Sequence, residues 1–149
     1  MMIKDIIESE SYRTLVSDQI KETMKYLIKN DEEFAVTANI KGITFTPVLP
    51  ETIYNQLSAF SLFILANYTY STLELDDDHI YFEAGFGKEN FGSLVKIPYN
   101  AVFQIIVDES ILFVNSTATV KNFFNQKEQE KKSFNAFKNN PSNEKLIQE

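Results

Sequence analysis

The sequence contains no cysteine and no tryptophan, and its only arginine is Arg13. Without cysteine, the chain can form neither a disulfide framework nor a thiolate metal site. Lysine supplies the remaining positive charge, and the net charge is −7 at pH 7. Binding to a phosphate backbone requires a basic surface, so this charge balance argues against nucleic acid as a partner.

Long apolar runs are also missing. The most apolar stretch, residues 57–70, is too short and too polar to span a membrane. The first residues do not have the pattern of a secretory signal, because an acid follows early and no apolar run is present. We therefore expect a cytoplasmic protein without membrane contact. Its 149 residues are enough for one domain with one core.

The first zone of the chain has helical periodicity. Apolar residues recur at steps of three and four through Val16, Ile20, Met24 and Leu27, which predicts an amphipathic helix over residues 10–30. A shorter helical turn is expected over residues 3–8. The apolar stripe has two interpretations, packing on a sheet or contact with a second copy, and amphipathicity alone does not separate them.

The second zone, residues 34–116, alternates apolar and polar residues between turn signals, which is typical of β-strands. Residues 61–70 are predicted to form a strand rich in aromatic rings. The fold class expected is mostly β (α+β): a curled antiparallel half-barrel or sandwich of five to seven strands with an N-terminal amphipathic helix. Residues 1–116 would form this domain, and residues 117–149 a charged, flexible tail.

Several segments were weighed for chemistry. The glycines of residues 85–92 match neither the Walker spacing nor the dinucleotide fingerprint, so a hairpin loop is favoured. Residues 76–79, three aspartates and the only histidine, lack the ligand spacing of an EF-hand and the partners of a zinc site. No nucleophile stands beside a recognisable base. We predict no catalytic residue, no metal and no cofactor.

Aromatic residues are plentiful, with 13 Phe and 7 Tyr. The first interpretation is that most of them belong to the core. The second is a groove that takes an extended peptide, with alternate side chains entering pockets and main-chain groups adding hydrogen bonds. Composition favours the core interpretation and leaves the groove open.

Three consecutive segments strongly resemble the central block of the SspB family. They are Leu73-Glu74-Leu75, the run Ile80-Tyr81-Phe82-Glu83-Ala84-Gly85-Phe86-Gly87, and the run Val95-Lys96-Ile97-Pro98-Tyr99-Asn100-Ala101-Val102. Order and spacing agree over all three. Weaker similarity extends over about residues 10–115, and residues 12–18 and 47–50 resemble the alphaproteobacterial branch of the family.

The resemblance implies a non-enzymatic adaptor without a cofactor. It implies a homodimer whose groove binds the ssrA degradation tag and hands tagged proteins to ClpX, the unfoldase of the ClpXP protease. In the family, the small residue that matches Ala84 helps to select the peptide. By the same resemblance, Phe82 and Phe86 are expected to border the groove.

The sequence departs from the family pattern in the loop and in the tail. Lys88 replaces the second glycine of the family's Phe-Gly-Gly turn, and the following loop is about two residues longer. The tail lacks the arginine-containing docking end of one branch, so Leu146 and Ile147 are the residues expected to contact the protease. Two alternatives stay open: a peptide-interaction protein of this fold without protease delivery, and a small-barrel RNA-binding protein.

Overall fold

The computed structural model describes residues 2–120 and residue 124. The chain begins with the helices α1 (Ile3–Ile7) and α2 (Glu10–Lys29). Ser9 caps α2, because its hydroxyl accepts a hydrogen bond of 3.2 Å from the backbone N–H of Tyr12. The helix predicted over residues 10–30 and the turn before it are confirmed. None of the helices described in residues 2–120 is long and apolar enough to cross a membrane.

Eight strands and two short helices follow within residues 34–114. They are β1 (Phe34–Asn39), β2 (Thr44–Thr46), α3 (Glu51–Tyr54), β3 (Phe60–Leu65), α4 (Asn67–Ser71), β4 (Glu74–Leu75), β5 (His79–Phe86), β6 (Phe91–Pro98), β7 (Val102–Val107) and β8 (Ser110–Val114). Five to seven strands were predicted. The structure has eight, of which β2 and β4 have only three and two residues.

The strand predicted over residues 61–70 is wrong in its second half. β3 ends at Leu65, and the following residues form α4. Asn67 adopts a φ of 54°, in the left-handed region, and its backbone N–H donates a 2.7 Å hydrogen bond to Glu33 Oε2. That backbone conformation interrupts the extended chain, and the ring pattern of the sequence does not reveal it.

The strands form two antiparallel sheets of four. Sheet A has the order β3-β1-β7-β8, and sheet B has the order β2-β6-β5-β4. The expected α+β class, with an N-terminal helix on a curled antiparallel arrangement, is confirmed. The strand order is not that of a simple meander, because β1 pairs with β7 from the far end of the domain.

One core connects the two sheets and α2. The Phe63 ring of sheet A lies 5.5 Å from the Phe82 ring and 6.4 Å from the Phe86 ring of sheet B. The α2 stripe is buried in the same cluster: Val16, Ile20, Met24 and Leu27. Of the two interpretations of this stripe, packing within the chain is therefore the observed one. The outer faces of sheets A and B consequently point in opposite directions.

Candidate functional site

The β5–β6 hairpin has two faces of different character. On the inner face, Phe82 pairs with Val95, and both side chains are fully buried. On the outer face, Glu83 pairs with Leu94, and Gly85 pairs with Gly92. These four residues are exposed. The outer face of sheet B therefore lacks side chains at one pair of positions.

A trough with a volume of about 470 Å³ opens at this glycine pair. Its lining residues come from β2 and the segment after it, α4, and the β5–β6 hairpin: Thr46, Pro47, Tyr68, Thr69, Glu83, Ala84, Gly85, Asn90, Gly92, Ser93 and Leu94. A Cβ atom added at Gly92 would meet no atom within 4 Å, so the space above it is open. A Cβ at Gly85 would overlap Asn90 Oδ1, so glycine at 85 lets the Asn90 side chain lie across the main chain there.

Tyr68 and Glu83 form one wall of the trough. The Tyr68 hydroxyl donates a 2.5 Å hydrogen bond to Glu83 Oε2. This hydrogen bond and the negative charge of Glu83 raise the pKa of Tyr68, because both favour the neutral phenol. The backbone N–H of Glu83 donates to Thr72 Oγ1 at 2.9 Å, which ties β5 to the end of α4. The wall is exposed and offers a carboxylate to a ligand.

The opposite wall combines a polar anchor with an apolar surface. The Ser93 hydroxyl donates a 2.9 Å hydrogen bond to the carbonyl oxygen of Pro47, which holds the segment after β2 against β6. Thr46 pairs with Leu94 in the same sheet, and the Leu94 side chain is 41% exposed. A ligand in the trough would therefore meet an apolar side chain on this wall and a carboxylate on the other.

The edge of β5 beside the trough is open over part of its length. β4 pairs with β5 only at Ile80 and Tyr81. The next backbone N–H on this edge of β5 belongs to Glu83, and it donates its hydrogen bond to Thr72 Oγ1. Gly85 follows with the same backbone orientation, because the direction of main-chain groups alternates along a strand. An extended peptide laid along this edge would find main-chain partners there.

Of the three residues expected at a groove, one lines the trough. Ala84 is half-buried, pairs with Ser93 and contributes to the lining. Phe82 is fully buried, so its ring is not at the surface. The Phe86 ring is half-buried and lies 5.6 Å from Phe45 in an edge-to-face contact on the core side. The expectation that Phe82 and Phe86 border the groove is thus corrected, because alternation does not say which side of a strand faces the core.

The sequence patterns do not predict most of the lining. Tyr68 stands in a run with the composition of a strand, but it lies in α4 and hydrogen-bonds to the wall residue Glu83. At Leu94 and Thr46 the sequence shows only the alternation of apolar and polar residues, which does not mark them as part of a site. The available signal was the spacing of Gly85 and Gly92 around the hairpin, since glycine inside a strand often marks the close approach of another group. Leu146 and Ile147 lie outside the described residues, and their docking role stays a prediction.

The acidic turn before β5 has a structural role. Asp76 Oδ1 accepts hydrogen bonds from the backbone N–H groups of Asp78 (2.8 Å) and His79 (2.7 Å), and Oδ2 accepts one of 2.5 Å from the Tyr81 hydroxyl. These hydrogen bonds, and the one from Tyr81 most of all, lower the pKa of Asp76 to about 2. The Tyr99 hydroxyl donates to the Asp76 carbonyl oxygen at 2.7 Å. These bonds fix the turn where β5 begins.

In the part of the chain that the structure describes, no group of three or more His, Asp or Glu side chains is placed to hold a metal ion. Neither the protein-family models nor the curated proteins that were compared contain a match to this chain. The function has to be inferred from the trough and from the residues that line it.

Proposed function

We propose that this chain is a non-enzymatic, cytoplasmic adaptor that binds ssrA-type degradation tags in the trough and delivers tagged proteins to the ClpXP protease. The observation that supports this most is the open main chain of Gly92 at the trough, whose lining also includes Ala84. The same segment carries the residues that resemble the peptide-binding block of the SspB family.

The shape of the trough suits an extended peptide. It follows β5 from Glu83 to Gly85, and a peptide in the same conformation advances by about 3.3 Å per residue. Bare glycine main chain allows a second backbone to approach closely. The open edge of β5 at Gly85 offers hydrogen-bonding groups to that backbone, which gives affinity independent of the peptide's side chains.

The chemistry of the walls sets the expected selectivity. Glu83 favours a hydrogen-bond donor on the peptide, and the Tyr68 hydroxyl holds that carboxylate in place. Leu94 favours an apolar side chain opposite it.

The proposal is tested by titrating a fluorescent ssrA-type peptide with the intact protein and reading anisotropy, beside a peptide of scrambled sequence. Gly92→Leu fills open space without a clash, so we expect at least about tenfold weaker binding. Thr44→Leu is the matched control, because Thr44 lies on the same outer face outside the trough. Absence of tag binding by the wild type at high micromolar concentration would overturn the proposal. Unchanged affinity in Gly92→Leu would place any binding elsewhere.

The second candidate is a peptide-binding protein that does not deliver its ligand to a protease. It is kept because residues 117–149 contain no arginine, so they do not match the docking pattern known in one branch of the resembled family. Degradation of a tagged reporter by ClpXP separates the two. Faster degradation in the presence of the chain supports delivery, whereas tag binding without acceleration supports the second candidate.

A further inference from the structure

The loop that joins β5 to β6 places a carboxamide at the hairpin end of the trough. Residues 87–90 reverse the chain, and both Gly87 (φ 73°) and Asn90 (φ 54°) adopt the left-handed conformation. The backbone N–H of Asn90 donates a 3.1 Å hydrogen bond to the carbonyl oxygen of Gly87, which closes the turn. The position of Asn90 is therefore set by the backbone of this turn.

The turn requires the backbone of Asn90 but not its amide. Glycine, asparagine and aspartate all tolerate the left-handed region, so the conformation alone does not select asparagine. Asparagine side chains in turns commonly hydrogen-bond to nearby backbone groups. Among the described residues, the Asn90 carboxamide has no such partner. The residue is exposed, so its two N–H donors and its oxygen acceptor are available to a ligand.

The carboxamide lies directly over main chain in the trough. A Cβ atom at Gly85 would overlap Asn90 Oδ1, so the amide group stands where a side chain of β5 would otherwise be. Gly92, the register partner of Gly85, has open space above it. Because register partners lie about 4.5–5.5 Å apart, a chain that enters the space above Gly92 passes beside the Asn90 amide.

We infer that Asn90 is a main-chain clamp, whose carboxamide hydrogen-bonds to the backbone of one residue of the bound peptide. The inference rests on the proposed peptide ligand of the trough. In an extended chain the N–H and the C=O of one residue point to the same side, and a carboxamide carries a matching acceptor and donor in one plane. Asn90 Oδ1 accepts the peptide N–H, and Asn90 Nδ2 donates to the peptide carbonyl oxygen.

Two other polar side chains of the trough are less suited to this task. Glu83 carries acceptors only, and one of its oxygens already receives the Tyr68 hydroxyl. The Ser93 hydroxyl already donates to the carbonyl oxygen of Pro47. A peptide carbonyl that loses water on binding and finds no donor weakens the complex. Asn90 supplies a donor at the hairpin end of the trough.

A clamp of this kind reads the backbone of the ligand and not its side chain. A peptide residue without an N–H, such as proline or an N-methylated residue, is rejected at the clamped position. Changes of side chain at the same position are tolerated. The selectivity at this point of the trough is therefore for an extended, unmodified main chain.

The first test removes the amide from the intact protein and measures binding of a labelled ssrA-type peptide by anisotropy. Asn90→Gly keeps a residue that accepts the left-handed backbone, and we expect about tenfold weaker binding from the loss of two neutral hydrogen bonds. Asp108→Gly is the matched control, since Asp108 also has a positive φ (50°) but lies between β7 and β8. It should bind as the wild type does. Circular dichroism checks that both variants are folded.

The second test displaces the amide without changing Asn90. The methyl group of Gly85→Ala would overlap Asn90 Oδ1, so this variant should also bind more weakly. The double variant Gly85→Ala/Asn90→Gly should bind no more weakly than Asn90→Gly, because both changes act on the same amide. A double variant whose loss equals the product of the two single losses would overturn the clamp.

The third test uses a set of peptides that are N-methylated at one residue each. The wild type should lose about tenfold in affinity at the clamped position, and in Asn90→Gly the loss at that one position should disappear. If Asn90→Gly binds as the wild type does, or keeps the full sensitivity at every position, the clamp is overturned and the proposed function still stands. Failure of the wild type to bind the unmodified peptide overturns the proposed function and the clamp with it.

Discussion

Gly85 and Gly92 are register partners in the β5–β6 hairpin, and a side chain added at Gly92 would meet no neighbouring atom. Glycine inside a strand destabilises a protein by roughly 0.5–1 kcal/mol relative to alanine. At Gly92 the described structure gives no packing reason for this cost. At Gly85 the Asn90 side chain occupies the place of a Cβ atom. Glycine at 92 is explained if another backbone approaches the sheet there, which is the basis of the predictions for the trough.

Ala84→Gln should weaken tag binding by about tenfold, or about 1.4 kcal/mol. Ala84 contributes to the lining of the trough, while its side chain packs against the core on the same face of β5 as Phe82. A longer side chain there therefore displaces the strand that forms the trough. Ala84→Ser is the control, because it keeps the side chain small. The measurement is fluorescence anisotropy with a labelled tag, and equal affinity for both variants would remove Ala84 from the site.

Phe82→Ala should act on stability and not on binding. The Phe82 side chain is fully buried against Phe63, and truncation of such a ring costs about 3–5 kcal/mol of unfolding free energy. The protein that remains folded should bind the tag within about twofold of wild type, because the ring does not reach the trough. Urea unfolding measures the first effect and anisotropy the second. Leu15→Ala, at a residue that is 55% exposed, should change stability by less than about 0.5 kcal/mol.

Asp76 should make the fold sensitive to acid. Its pKa is lowered from 3.8 to about 2, chiefly by the Tyr81 hydroxyl, so the folded state favours the carboxylate. A lowered pKa stabilises the folded state above the unfolded value, and this contribution is lost as the pH falls through about 2.

Asp76→Asn tests this contribution. Its urea midpoint should lie below that of the wild type at pH 5 to 6, and the two midpoints should converge as the pH approaches 2. Asp108→Asn, at an exposed loop residue, should follow the wild type throughout. A difference between wild type and Asp76→Asn that stays constant with pH would contradict the assigned role of Asp76.

Tyr68 should ionise later than an ordinary tyrosine. The hydrogen bond to Glu83 and the carboxylate's charge raise the pKa of Tyr68. The stabilisation that follows is complete below the usual tyrosine pKa and is lost as the pH rises through the raised value. Difference absorbance of wild type against Tyr68→Phe reports this single titration. In Glu83→Gln the Tyr68 transition should move to lower pH, and an unmoved transition would mean that Glu83 is not its partner.

Local sequence patterns predicted those helices and strands in which the pattern of apolar residues repeats several times. The α2 helix repeats its apolar positions from Val16 to Leu27, over about three turns, and Ser9 caps its start, so the periodicity and the capping residue predict the same helix. The β5–β6 hairpin was predicted because alternation continues on both sides of a glycine-containing turn. By contrast, the pairing of β1 with β7 joins segments far apart in the sequence, and no local pattern encodes it.

The trough was harder to predict than the fold. Its lining comes from separate segments that meet only after sheet B has formed, and α4 interrupts a run that has the composition of a strand. Alternation assigned Phe82 and Ala84 to the same face of β5 but did not say which of them packs deeply and which lies near the hairpin end.

The uncharged strands of sheet A also decide which mass-spectrometric methods can observe it. Trypsin cleaves after lysine and arginine, and none occurs between Lys96 and Lys121, so β7 and β8 remain together in one fragment. Amine-directed and carboxyl-directed reagents likewise find no target on these strands. Deuterium exchange read out after digestion with an acid protease is therefore the footprinting method suited to this side of the molecule.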